Sequence, residues 1–166
     1  LGGSGWFEHD GADEWNRVQS YAEGYHGDVD EDGVGYFWHT SGVYEHKRGW
    51  PARPLYMWPS EEQEYHYQTL SRDGRLVVWA NGQLIQVPLD KQNGLKQPIQ
   101  VIRNVPEFSN TAVKDLVVDH MGRSWVALLG NGLLCVEADT SMQLLPGYHI
   151  EKLSIEGDSL LIANAR

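Results

Sequence analysis

The chain holds a single cysteine, Cys135, in 166 residues. No intrachain disulfide can form. Cys135 sits in the apolar run LLCV and reads as a small core side chain rather than a nucleophile. No apolar run approaches the roughly 20 residues that a helix needs to cross a bilayer. No signal peptide is visible, and the chain starts LGGSGW without a methionine. We therefore expect a mature or excised piece of something longer. Nothing resembles a nucleophile elbow, a phosphate loop or a metalloprotease helix, so the expectation is a protein that is not an enzyme. Positive charge is scarce, with 13 Lys and Arg against 23 Asp and Glu. A surface of net charge -10 repels a phosphate backbone, which argues against nucleic acid as a partner. Amphipathic helices are missing too; the best candidate, Asp13–Ala22, is short and polar.

What is present is aromatic and repetitive. Seven Trp and eight Tyr belong to a chain that is 41% hydrophobic, the composition of a folded domain rather than a disordered one. Residues 29–44 read VDEDGVGYFWHTSGVY and residues 69–87 read TLSRDGRLVVWANGQLIQV. Residues 116–136 read LVVDHMGRSWVALLGNGLLCV, and 153–165 read LSIEGDSLLIANA, a copy cut off partway. Each copy is an apolar strand, an acid, a glycine, a strand carrying a large side chain, a glycine turn and another strand. We align them on Asp32/Gly33/Trp38, Asp73/Gly74/Trp79, Asp119/Gly122/Trp125 and Glu156/Gly157/Leu161. The glycines then lie 41, 48 and 35 residues apart (74 − 33, 122 − 74, 157 − 122).

The Asp-Gly pair predicts a tight turn, because glycine takes positive φ and aspartate caps its own backbone. A second glycine turn follows at Ser41-Gly42, Asn81-Gly82 and Asn131-Gly132. Each unit is thus an antiparallel meander of three or four strands. One such sheet cannot bury both faces alone, whereas stacked neighbours can. A period of about 40 residues with this content is the pattern of propeller blades. The fold expected is therefore all-β, a β-propeller of about four blade-like antiparallel meanders, or an arc of a larger propeller. The units lie near 29–47, 69–89, 113–138 and 150–166, within a single domain or fragment spanning 1–166. The tryptophans are expected to pack between adjacent blades. Residues 6–18, WFEHDGADEWNRV, are a candidate outer strand for the last blade.

The stretch SNTAVKDLVVDHMGRSWVALLGNGLL (109–134) resembles the two-component regulator propeller repeat, with its Ser-Asn turn, its V…I..D..G..W pattern and a closing Gly-Leu. Residues 29–44 match less closely, and 69–87 and 150–165 more loosely. That family is found in the periplasmic sensor regions of bacterial hybrid histidine kinases and in related secreted propellers. The resemblance implies a periplasmic or extracellular, non-enzymatic propeller that senses a ligand or binds a protein. Family arrays are usually much longer than this chain, and no kinase, receiver or DNA-binding segment is present. A small closed ring, association with further blades and homo-oligomerisation are all open.

Two stretches carry candidate sites. Asp28, Asp30 and Asp32 spell DxDxDG, an oxygen-rich spacing that suits Ca²⁺. The EF-hand pattern is incomplete, because His39 stands where a bidentate Glu belongs and Tyr36 where position nine needs an acid. The alternative is an Asp-Gly turn with an acidic flank. No cofactor besides calcium is indicated. The insert GWPARPLYMWPSEEQEYHY (49–67) departs most from the repeat. Its prolines stiffen an extended connection. Its aromatics Trp50, Tyr56, Trp58 and Tyr65, with Arg53, form a candidate binding surface for an oligosaccharide, another small ligand or a protein partner. The bland alternative is that they cap the blade core. The seven histidines show no HxxxH or HxH pair, which leaves zinc without a spacing signal. A lectin-like carbohydrate module is the alternative function, and a propeller glycoside hydrolase or lyase a more remote one.

Overall fold

A computed structural model describes residues 7–9, 15–17, 26–30, 32–39, 42–57, 66–70, 75–87 and 100–164. The chain separates into two compact units, Leu1–Gln63 and Glu64–Arg166. Apart from one 3-10 turn at Pro106–Phe108, every regular element described is a β-strand. Among these residues no helix is long and apolar enough to cross a membrane.

The first unit contains a short pair, β1 (Phe7–His9) and β2 (Trp15–Arg17), and then a four-stranded sheet. That sheet runs β3 (His26–Val29), β4 (Gly35–His39), β5 (Gly42–His46) and β6 (Arg53–Met57) in spatial order. The expected outer strand within 6–18 is thus a two-stranded hairpin. The second unit repeats the meander with β7 (His66–Leu70), β8 (Leu76–Ala80), β9 (Gln83–Val87) and β10 (Gln100–Asn104). It repeats it again with β11 (Val113–Val118), β12 (Ser124–Leu128), β13 (Gly132–Val136) and β14 (Ser141–Leu144). A two-stranded sheet follows, β15 (Ile150–Glu156) and β16 (Ser159–Asn164). All neighbouring strands pair antiparallel.

Turn chemistry accounts for the meander. Asn81 and Gly82 close the β8–β9 hairpin at φ 47° and 76°, the left-handed pair that a two-residue turn of this hand requires. The turn is also tight in space. A side chain on Gly82 would strike the Val105 carbonyl oxygen at 2.7 Å, and the Val105 amide donates to the Gly82 carbonyl at 2.7 Å.

In the second unit the first strand of each sheet lies beside the first strand of the next, β7 by β11 and β11 by β15. Apolar side chains fill the space between. Trp79, fully buried, packs with Val77, Leu84, Leu116, Val126, Leu128 and Leu134 between the β7–β10 and β11–β14 sheets. Ala127, Leu133, Ile150 and Leu153 form a second cluster toward β15–β16, with Trp125 and Leu160 against it. Each large side chain removed from water contributes about 1.5–3 kcal/mol, so these clusters dominate the unit's stability. A buried carboxylate links the two sheets. Buried Asp115 on β11 accepts the Leu153 amide of β15 at 2.8 Å, its neighbour Leu116 at 3.0 Å and the Lys152 ammonium at 3.1 Å.

Candidate functional site

Among the described residues, the turns that open the β3–β6 and β11–β14 sheets are carboxylate-centred loops. In the β11–β14 sheet, Asp119 Oδ1 accepts the amides of Met121 at 2.9 Å and Arg123 at 3.0 Å. Its Oδ2 accepts Arg123 Nε at 2.7 Å and the Trp125 indole at 2.9 Å. In the first unit, Asp30 Oδ1 accepts the amides of Asp32 at 3.0 Å and Val34 at 2.9 Å, and its Oδ2 accepts the Tyr36 hydroxyl at 3.1 Å. Gly33 and Gly122 take φ of 77° and 81° at the same place in the loop. The matching backbone bonds, Gly33 to Asp30 and Gly122 to Asp119, are both 3.0 Å.

This geometry corrects the alignment on Asp32 and Trp38. The equivalents of Asp119 and Trp125 are Asp30 and Tyr36, three residues to either side of the glycine. The aromatic that matters is the one whose polar edge reaches the turn carboxylate. Trp79 lies five places after Gly74 rather than three. It shares its sheet face with Val77, just as Ala127 shares one with Trp125. The large and small residues are exchanged between two positions of that face in these two sheets, while β4 carries an aromatic, Tyr36 and Trp38, at each of the equivalent positions.

The same geometry engages the middle acid of DxDxDG. Asp30 is engaged by two amides and a phenol, Asp28 lies on β3 opposite Tyr36, and Asp32 is exposed in the turn. Among the described residues no three His, Cys, Asp or Glu side chains gather as a metal-binding group.

Register then exposes a difference between blades. Counting from the turn glycine, one cross-strand row in each sheet occupies equivalent register positions. In the β11–β14 sheet the row is Val117, Trp125, Cys135 and Met142. In the β7–β10 sheet it is Thr69, Val77, Gln86 and Gln100. In the β3–β6 sheet it is Asp28, Tyr36, Glu45 and Arg53. The apolar version shows that a blade does not need charge there. The first sheet carries it nonetheless. Glu45 is buried, its carboxylate pairs with Arg53 across β5–β6, and Tyr36 is buried beside it. Burial foremost, then the hydrogen bond to Asp30 and the charges of Asp30, Glu45 and Asp32, push the Tyr36 phenol well above its ordinary range. It stays a neutral donor at any physiological pH. At Asp119, burial would raise the acid, but the hydrogen bonds from Trp125 and Arg123 outweigh it and hold the carboxyl below its usual value.

The charged row ends at the β5–β6 turn. There the Trp50 amide donates to the Lys47 carbonyl at 2.9 Å, and Gly49 takes φ 74° at the third position. Pro51 follows Trp50 and restricts it to extended backbone. Lys47, Arg48, Trp50 and Pro51 are all exposed, Trp50 to 71%. The corresponding β13–β14 turn carries Glu137 and Asp139 instead, closed by the Glu137 amide on Thr140 at 2.9 Å. A basic, aromatic tip therefore stands on one blade of an acidic chain.

Of the residues expected to bind, Trp50 is at this tip and Arg53 anchors the strand behind it. The 49–67 insert is not one connection: Arg53–Met57 is the outer strand of the sheet, with Tyr56 opposite Val43. Trp58 and Tyr65 lie outside the described residues. Tyr36, Glu45, Lys47 and Arg48 were missed. The signal for Tyr36 and Glu45 was the charged row that register creates, invisible until strands are paired; Lys47 and Arg48 stand directly before Gly49-Trp50 in the sequence.

Comparison with known proteins reaches the fold. No protein-family profile matches the chain, and no curated protein does. Solved structures match. Virginiamycin B lyase from Staphylococcus aureus aligns with a TM-score of 0.70 at 11% identity, over 91% of this chain and 53% of that one. YCF48 from Cyanidioschyzon merolae aligns at 0.66 and 11%, over 93% and 56%. The extracellular domain of a B. thetaiotaomicron protein assigned as a hybrid two-component system aligns at 0.65 and 16%, over 90% and 21%. These neighbours are β-propellers. The fold is a β-propeller. This chain spans about half the length of the lyase and YCF48 chains, at 53% and 56%, and less of the extracellular domain.

Proposed function

We propose that this chain is a non-catalytic, protein-binding part of an envelope β-propeller of the sensor or secreted kind, and that it meets its partner at the Lys47–Pro51 tip. The observation that carries this reading is Trp50, 71% exposed on a turn fixed by Gly49 and Pro51. A large rigid ring loses little conformational entropy on contact and exposes apolar area that water opposes, the combination found at interaction hot spots. The pair of buried Glu45 with half-exposed Arg53 supports it by tying the outer strand to the sheet and so steadying the tip. Two neighbours support the class. One YCF48 structure, 17% identical with a TM-score of 0.65, is bound to a D1 peptide, and another neighbour is the extracellular domain of a protein assigned as a hybrid two-component system. That second neighbour and the propeller-repeat resemblance favour a periplasmic or extracellular setting.

Selection of a displayed peptide library on the intact chain tests the reading. Selected peptides should bind Trp50→Ala about tenfold more weakly, the loss of a hot-spot side chain, while its melting temperature is unchanged. Peptides that bind the variant equally well would overturn it. An oligosaccharide that raises the melting temperature through Trp50, with no peptide doing so, would establish the carbohydrate-binding alternative instead.

A further inference from the structure

We infer that a second copy of this chain completes the β15–β16 sheet, its β1–β2 pair supplying the two strands that this sheet lacks. The β3–β6, β7–β10 and β11–β14 sheets hold four strands each, whereas β15–β16 and β1–β2 hold two. The two pairs are different halves of a blade. β15 lies beside β11 as β11 lies beside β7, so β15 and β16 take the first and second places of their sheet. Spacing gives β1 and β2 the third and fourth places. Eight residues (18–25) separate β2 from β3. A fourth strand is separated from the next first strand by eight residues at 58–65, eight at 105–112 and five at 145–149. A second strand stands only two or three residues from its third, at 40–41, 81–82 and 129–131. The connection out of β2 therefore leaves a fourth strand, not a second.

The edge of β16 is built to be paired. Its sequence, SLLIAN, has no charge and no proline, the residues that keep an edge strand from pairing. Among the described residues its outer edge meets no strand. β8 and β12, the second strands of complete sheets, are paired on both sides and buried along their length apart from half-buried Trp125. β16 is exposed at every position except Leu160, with Leu161 at 46% and Ile162 at 39%. A third strand on that edge removes apolar area from water and satisfies the open backbone groups. A foreign strand would cover β16 but leave β1–β2 without a first and second strand. A second copy meets both needs. The length of the neighbours favours another copy over the same one. Nine-tenths of this chain aligns with about half of the lyase and YCF48 chains, so two copies supply the length of one such propeller. The contact is reciprocal: each copy gives its β1–β2 pair and receives the other's, and two copies close the assembly.

Sedimentation of the intact chain over a range of concentrations tests this, together with two variants. Glu8→Pro disables β1 as a middle strand, because such a strand needs its amides on both edges. Leu161→Lys/Ala163→Lys puts charge on two exposed positions of β16 and blunts its edge. The wild type should sediment as a dimer, and each variant should dissociate about tenfold more readily while keeping the circular dichroism of a folded β protein. Mixed in equal amounts, the two variants should form a heterodimer, since the first keeps an intact β16 and the second an intact β1–β2. A variant that had merely failed to fold would not give that rescue. A wild type that stays monomeric at every concentration overturns the inference. So does a dimer that neither variant weakens, or a mixture that gains nothing over the separate variants. Trp50→Ala separates this interface from the tip. It should leave the dimer intact, and dissociation of the dimer by that substitution would move the interface to the tip and overturn the assignment to β16.

Discussion

Replacing Asp119 by Asn changes one oxygen and tests the turn that organises the repeat. The Asn Oδ1 still accepts the amides of Met121 and Arg123. The Nδ2 that replaces Oδ2 is a donor, and it faces two further donors, Arg123 Nε and Trp125 Nε1. The Trp125 bond is partly buried, and a hydrogen bond to a charged acceptor contributes about 1.5–3 kcal/mol there. The Arg123 side chain is 34% exposed, so water replaces much of its ion pair and losing it adds little. Asp119→Asn should therefore cost about 2 kcal/mol, and Asp119→Ala about 3 kcal/mol because two backbone amides also lose their acceptor. Urea unfolding followed by circular dichroism gives the difference, with the neighbouring exposed His120→Ala as a control near zero. The pH dependence adds a sign. The folded acid titrates below its unfolded value of about 3.9, so its stabilisation is present above that pH and lost as pH falls through the folded value. The gap between wild type and Asp119→Asn should close below about pH 4. A cost under about 0.5 kcal/mol, or a gap indifferent to pH, would refute the view that this carboxylate holds the turn.

The charged row makes a double-substitution prediction. Arg53→Met alone leaves the buried Glu45 carboxylate without its cation and should cost about 2 kcal/mol, reduced from a fully buried pair because Arg53 is 41% exposed at its side chain. Glu45→Cys/Arg53→Met, which copies Cys135 and Met142 of the β11–β14 sheet, should recover at least half of that; additive losses in urea unfolding would refute the equivalence of the rows. Gly132→Ala should cost more than Gly130→Ala in the same assay. Both have positive φ, but the first methyl would meet the Leu145 carbonyl carbon at 2.7 Å and the second meets nothing within 4 Å. The expected losses are about 3 and about 1 kcal/mol, and equal losses would show that backbone strain alone decides. Burial raises the Cys135 thiol despite a smaller opposing pull from Arg123, so it stays protonated and shielded at neutral pH. A disulfide reagent should leave it unmodified in the native chain and label it in urea; rapid native labelling would contradict its place in the core.

Much of the blade plan was legible one residue at a time. Asn81-Gly82 is a turn because only such a pair accepts two left-handed residues in succession, and that chemistry is local. The alternation of β12, with Val126 and Leu128 on one face and Trp125 and Ala127 on the other, is equally local. Equivalence between repeats was not legible. Asp32-Gly33 looks like Asp73-Gly74 as text, yet the Asp30 carboxylate is the one that closes the loop, because the cap must reach amides two and four residues ahead. Arg53–Met57 read as part of a proline-rich connection, but Pro54 is tolerated because β6 is an edge strand with β5 as its neighbour in the sheet.

By itself the sequence determined an all-β chain of glycine-punctuated meanders, its shortage of positive charge and the presence of Trp50 in a proline-flanked turn. Those follow from backbone conformations and side-chain charges that each residue carries wherever it goes. Tertiary structure decided which residues stand opposite one another. Only pairing brings Tyr36, Glu45 and Arg53 into one row, and Val117, Trp125, Cys135 and Met142 into its apolar counterpart. Register is a property of two strands together. A slip of one residue would turn the Glu45–Arg53 pair to the opposite face, and the pattern of a single strand does not forbid it.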